Sequence, residues 1–317
     1  MRCGSVWACA VCALAIRAER AEEVRQVAEW WNGQGGELWL VTGTVRHAWT
    51  HDLTPTRRGV ANLWRAVLGG RAWEEWAARV GLAGWIRALE TTHGPNGWHP
   101  HTHALMAVRA GIGDGEREAL RVELAERWQD AARRQLGDEH APSLAVGIDI
   151  RVLPAGSAEY LSKLSLELTA SATKAGRKAA HRGPFQIGAD FVAYGDDEDL
   201  QLWRRYCDGM KGARFLTWSR GRRDLRKLAG LGAERTDEEI VEGETGEEAT
   251  VCEIPGAEWD ARRDAPGWAL AVLEAAERGD VAELRRLIPG ARFGADPPPR
   301  ARPSTSEDVR HGLPDDA

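Results

Sequence analysis

The hydrophobic pattern changes period several times along the chain, and each change predicts an element. Residues 13–31 interleave Ala, Val and Ile with charged side chains and predict a helix. "GELWLVTGTVRH" alternates and is rich in β-formers, predicting a strand over 38–46. "TPTRRGVANLWRAVLGGRAWEEWAARVG" begins with a Thr-Pro helix signal and then repeats apolar residues at i, i+3 and i+4. It predicts two short helices broken at Gly69-Gly70. A second strand follows over 84–94, then the turn Gly94-Pro95-Asn96-Gly97, then a third strand over 99–110, together a hairpin. Residues 113–137 predict a long amphipathic helix, 144–155 a fourth strand, and 157–171 a helix capped by Ser157. Residues 185–230 read as mostly helical, and 266–288 as one or two further helices.

This order predicts an α+β fold, a central antiparallel sheet with helices packed on it. The expected divisions are an N-terminal cysteine motif and helix (1–36), a core (37–184) and a helical basic extension (185–232). An acidic linker, short helices and a disordered tail complete the chain (233–317).

Charge sharpens that division. The net charge of −6 is unevenly spread, since residues 234–317 hold 21 acidic and 10 basic side chains. The first 233 residues therefore carry 32 basic and 27 acidic ones, and fields act locally, so the acidic whole does not argue against a nucleic-acid partner. A hydrophobic share of 43% with 28% charged residues fits a soluble globular protein. No apolar run approaches the ~20 residues needed to cross a bilayer, and the first residues lack a clear signal-peptide pattern, so a cytoplasmic protein without a membrane partner is expected.

The candidate chemistry starts at "GWHPHTHAL". His99, His101 and His103 alternate, so a strand puts all three on one face. Neutral imidazole is the commonest metal ligand, and the hairpin brings Glu90 back towards 99–103. Two imidazoles and one carboxylate leave positions open, as a catalytic metal requires, with Mg²⁺ or Mn²⁺ completed by water and phosphate oxygens. In "EYLSKLS", Tyr160 and Lys163 lie at i, i+3 on a predicted helix and share a face. A nearby ammonium favours the phenolate, and tyrosine can form a covalent intermediate.

With these segments in view, the chain resembles the plasmid-type rolling-circle replication initiators of the HUH endonuclease superfamily. "LWLVTGTVRH" is similar to the family's first motif, a strand ending in alternating threonines, and "LETTHGPNGWHPHTHALM" to its metal motif with the upstream glutamate. "AEYLSKLS" is similar to the tyrosine motif, and "CGSVWACAVC" and the stretch from "GPFQIGADF" to "TWSRGRR" also resemble such initiators. The resemblance implies a ferredoxin/RRM-like sheet, with His101, His103 and Glu90 as metal ligands and His99 as a neighbour or alternative ligand. It implies that Tyr160 attacks a DNA phosphate, leaving a 5′-phosphotyrosine and a 3′-hydroxyl primer, while Lys163 stabilises charge. The implied partners are single-stranded or hairpin origin DNA and the host replication helicase and polymerase. Some relatives carry a glutamate one helical turn before the tyrosine; here that position is Gly156. A transposase or relaxase with the same chemistry and a non-catalytic zinc-binding DNA adaptor are the alternatives.

Two further sets of residues are candidates. Cys3, Cys9 and Cys12 suggest a structural Zn²⁺ site, with His47, His51 or Cys207 as its fourth ligand, against the alternative of small residues in a packed terminus. Arg177, Lys178, Arg182, Arg220, Arg222 and Arg223 are candidate DNA contacts and Trp218 a candidate platform for an unpaired base, against the commoner alternative of a core tryptophan beside a solvated arginine face.

Overall fold

The computed structural model describes residues 3–153, 181–243, 252–262, 268, 271–272, 275–276 and 280–293. The chain divides into two units, 1–246 and 247–317. The predicted helix over 157–171, with Tyr160 and Lys163, lies outside the described residues, as do Arg177, Lys178 and the tail from 294.

In the first unit, α1 (Ala10–Gly33) precedes β1 (Glu37–Gly43), α2 (Leu53–Val67) and α3 (Gly70–Arg79). The hairpin β2 (Gly84–Gly94) and β3 (Gly97–Val108) follows, then α4 (Asp114–Leu136) and β4 (Ile148–Leu153). After the undescribed stretch come α5 (Pro184–Tyr194), α6 (Asp197–Met210), β5 (Leu216–Trp218), α7 (Leu225–Leu228) and α8 (Asp237–Gly243). The sheet runs β4-β1-β3-β2-β5, and every adjacent pair is antiparallel. From β1 to β4 the order is the βαββαβ of a ferredoxin-like fold, so the expected α+β architecture is present.

Alternation along β3 sends its two residue sets to different surroundings. One face is packed by tryptophans of α2 and α4. The Trp64 indole N–H donates to Thr102 Oγ1 at 2.5 Å, and the Trp128 indole N–H donates to the Thr44 carbonyl at 2.7 Å. Gly43 makes room there, since a Cβ would sit 3.0 Å from the Trp128 ring. The other face carries Leu38, Leu40, Leu105 and Ala107 at one end, and the histidines with Glu90 at the other. At the apolar end the Trp31 indole of α1 donates to the carbonyls of Glu37 and Val108.

The structure refines two expectations. Residues 185–230 are mostly helical, as expected, but within them Leu216–Trp218 forms the edge strand β5, paired with Ile86–Ala88. The reason is tertiary, because three residues give too little periodicity to outweigh the flanking helices, while the β2 edge supplies hydrogen-bond partners. The acidic segment, expected to be linker from 233, instead packs Ile240 and Val241 into the core of the first unit through α8. Arg20 of α1 donates to Asp237, and Arg235 pairs with Glu19, which turns part of the acidic run into partners for α1.

The second unit has its own small cluster of Trp268, Val272, Ala275, Leu284 and Ile288. It contains β6 (Cys252–Glu253) paired with β7 (Arg292–Phe293), and the helices α9 (Gly256–Arg262) and α10 (Val281–Leu287). Among the described residues no helix is long and apolar enough to cross a membrane.

Arg182 corrects a third expectation. Its guanidinium bridges Asp190 at 3.0 Å and Asp199 at 2.7 Å, both carboxylates being buried, and its backbone pairs with His93 at the end of β2. It is a structural clamp rather than a DNA contact, because a guanidinium committed to two buried carboxylates is not free for phosphate. Replacing it would strand two buried charges, a cost of about 3 kcal/mol or more. Arg182→Met is therefore expected to lower stability by that amount in urea denaturation, with part of the loss recovered when Asp199→Asn is added.

Candidate functional site

The β2–β3 hairpin builds the site. Its register sets Glu90 directly opposite His101, and Ala88 opposite His103, so the carboxylate and both imidazoles share one face. Glu90 Oε2 lies 3.1 Å from His103 Nε2 and 3.3 Å from His101 Nε2. The three side chains are partly covered, at 23% exposure for Glu90, 11% for His101 and 21% for His103, which leaves one side open to solvent.

The outer nitrogens are already engaged. His101 Nδ1–H donates to the His99 carbonyl at 3.0 Å, since a carbonyl can only accept. His103 Nδ1 is hydrogen-bonded to the Thr42 hydroxyl on β1 at 3.0 Å. A neutral His101 with its proton on Nδ1 presents a lone pair at Nε2, facing a carboxylate oxygen. Two acceptors hold that separation only with a cation between them, either a proton or a metal. The electrostatics agree. Burial pushes the Glu90 carboxyl up, but hydrogen bonds from both imidazoles outweigh it and hold the group far below the ordinary carboxylate range. Burial pushes His101 down, and the Glu90 hydrogen bond more than offsets this, so the imidazolium is favoured.

These atoms also fit a metal. Metal–ligand bonds of about 2.1 Å at right angles put neighbouring donors about 3.0 Å apart, close to the separations here. His99, the alternative ligand, is not brought into the group. Its Nε2 is 2.5 Å from Thr44 Oγ1, and its ring stacks on His47 at 4.3 Å and 14°. Burial, with His101, His47 and His181 nearby, pushes His99 down to about 3. His181 is thus close enough to act on the histidine cluster where the chain returns from its undescribed stretch.

Three contributors had no role assigned from the sequence. Thr42 and Thr44 hold His103 and His99 in orientation, and their alternation at the end of β1 was the available signal. Arg17 of α1 is buried on Phe185 and Phe215, and burial lowers its pKa against the opposing fields of Tyr206 and Glu90. No local pattern marks it, because its neighbours come from distant segments.

The thiols form a second group. Cys3, Cys9 and Cys12 have ligand atoms within 4.8 Å of one another, and Cys3 and Cys12 Sγ are 3.9 Å apart. Zn–S bonds of ~2.3 Å in a tetrahedron imply S···S of about 3.8 Å. None of His47, His51 or Cys207 joins this group. Hydrogen bonds from the other two cysteines and from backbone outweigh burial and lower the Cys12 pKa, whereas burial raises that of Cys9.

The arginine patch divides. Trp218 is 5% exposed, paired in β5 with Ile86 and covered by the Arg226 guanidinium at 5.1 Å, so it cannot stack on a base. Its indole is consumed by the core because β5 closes the sheet. Arg222 and Arg223 both pair with Glu74, whereas Arg220 is exposed. All lie beyond the β2 end that is opposite to Glu90, since Gly84 abuts Arg223.

Two similar proteins were found by sequence. One is "Protein rep" of Streptomyces lividans, 29% identical over 310 aligned positions, which cover 76% of this chain and 67% of that protein. The other is "Neomycin resistance protein" of Streptomyces cyanogenus, 30% identical over 167 positions, 42% of this chain and 38% of that protein. No family model and no solved structure matches the chain. The resemblance to plasmid replication proteins thus has a counterpart in a protein called Rep.

Proposed function

We propose that this chain is a plasmid (or phage) rolling-circle replication initiator that nicks and rejoins one DNA strand at its origin. The likeness to "Protein rep" supports a role in plasmid replication. One observation carries the nuclease reading: two imidazole Nε2 atoms and a carboxylate oxygen converge on one point while the outer histidine nitrogens are engaged elsewhere.

Glu90, His101 and His103 would hold a divalent cation there, Mg²⁺ or Mn²⁺, with the two nitrogen donors favouring Mn²⁺. Bound there, the cation would draw charge from the scissile phosphate. Tyr160 would attack phosphorus. The new bond joins its Oη to the 5′ side, and the P–O3′ bond breaks. The 3′ oxygen takes up a proton and becomes the primer hydroxyl. Lys163, one turn on, would stabilise the phenolate.

The other two tyrosines are weaker candidates for the nucleophile. Tyr206 is buried, and burial pushes its pKa well above the ordinary tyrosine range, which makes it a poor nucleophile. Tyr194 sits exposed at the end of α5. The segment carrying Tyr160 leaves β4 at Leu153, opposite Leu38, and returns at His181 beside the histidine cluster, so its return lies at the site.

Cys3, Cys9 and Cys12 would hold a structural zinc. Arg177, Lys178 and Arg220 would contact the single-stranded or hairpin origin, with the host helicase and polymerase acting on the nicked product in the bacterial cytoplasm.

Three outcomes are expected. Tyr160→Phe abolishes both nicking of a labelled single-stranded origin and the covalent adduct on a denaturing gel, while binding persists; Tyr206→Phe retains both activities. Full nicking by Tyr160→Phe would remove the nucleophile assignment. Chelation by EDTA stops cleavage and added Mn²⁺ restores it, whereas His101→Ala is not rescued. Calorimetric titration with Mn²⁺ gives one site in the intact protein, and Thr42→Val weakens it about tenfold or more, because His103 loses the partner that orients it.

A further inference from the structure

We infer that Trp49 is a stacking platform for an unpaired base of the DNA strand handled at the Glu90–His101–His103 centre. The inference rests on the nuclease reading above and adds a binding residue to it.

Trp49 is 79% exposed, while every other tryptophan with a described side chain is buried or half-buried. An indole left in water forfeits one of the largest apolar burials a side chain can make. The loop that carries it is firmly held. Thr44 N–H donates to the Gly147 carbonyl at 3.0 Å, and Arg46 exchanges two hydrogen bonds with His140, each 3.0 Å. Within the loop His51 N–H donates to the Ala48 carbonyl at 2.9 Å, and Ala48 N–H donates to His51 Nδ1 at 3.1 Å. The His47 ring is stacked on His99. A backbone fixed at so many points presents its indole to solvent as a preorganised surface, which keeps the entropy cost of binding low.

Position and charge identify what it receives. Gly97, at φ +81°, lies against the Trp49 backbone, where a Cβ would meet Trp49 Cα at 2.8 Å. Gly97 starts β3 four residues before His101, about 14 Å along an extended strand, within a few nucleotides of the proposed scissile phosphate. Arg46 and Arg58, both exposed, have no ion-pair partner among the described residues, and Asp52 is the only acid in 44–52. Arg46 borders a depression of about 560 Å³ and Arg58 another of about 520 Å³, on which Thr50 and His51 also open. Exposed cations on the segments that flank a free aromatic face, near a proposed centre for phosphate chemistry, are what single-stranded nucleic acid recognises. Trp218, the candidate the sequence offered for this, lies buried in β5, near the far end of β2, which is the core alternative.

The test uses the full chain in EDTA, so that binding is separated from cleavage. Anisotropy with a fluorescein-labelled single-stranded oligonucleotide is expected to show Trp49→Ala weakened about 5- to 100-fold, the loss of one base stack. Trp49→Phe should keep most of the affinity, and binding to a duplex of the same sequence should be unchanged. Thermal melting of Trp49→Ala should match the unsubstituted chain, since the ring is already solvated. An oligonucleotide carrying 5-iodouracil should photo-crosslink to Trp49, located by mass spectrometry. Wild-type affinity in Trp49→Ala would overturn the inference, as would an equal loss on duplex, which would mark a partner other than an unpaired base. In either case nicking by the unsubstituted chain in Mn²⁺ would leave the nuclease reading standing. An unsubstituted chain that neither binds single strands nor nicks them would overturn both.

Discussion

Pairing Glu90 with His101 across the β2–β3 hairpin puts three ligand atoms on one side of two strands, and a slip of one residue would send that set to the opposite face, against Trp64 and Trp128. The fold guards this register from both directions. On the tryptophan face, Thr102 accepts from the Trp64 indole and Gly43 admits the Trp128 ring. On the other face, Leu105 and Ala107 meet Leu38 and Leu40 in the core. Apolar packing at one end of the strands therefore holds polar chemistry in place at the other.

The site is costly to keep without a cation. A half-buried carboxylate faces two imidazoles whose other nitrogens are committed to Thr42 and to a backbone carbonyl. Those outer partners turn the histidines from surface groups into oriented donors. The same economy governs the return of the chain at His181 and Arg182. Two buried aspartates hold Arg182 beside His93, so the chain is anchored at the histidine end of the sheet from residue 182 on.

Tryptophan has three different fates in this chain. Trp64 and Trp128 build the core and use their N–H groups on the strand that carries the site. Trp218 closes the sheet edge under the Arg226 guanidinium. Trp49 alone among the described tryptophan side chains is exposed to solvent. The sequence treats them alike: a tryptophan beside arginines reads the same whether its ring is covered or free. Trp218, in "TWSRGRR", attracted the binding role, and the indole in "HAWTH" did not.

Local periodicity was enough for the hairpin, the long helix α4, the α+β class and the face shared by Glu90, His101 and His103, because period and turn chemistry act over a few residues. The spacing of the cysteines was equally legible. Several features needed distant segments to meet and left no local trace. Among them are the edge strand β5, the packing of α8 on α1, the commitment of Arg182 to Asp190 and Asp199, and the exposure of Trp49 above a held loop. Sequence by itself determined which candidate side chains sit on the hairpin and which of them share a face. Tertiary structure decided which arginines and tryptophans are spent on the fold, since burial and ion pairing depend on neighbours that the chain brings together only by folding.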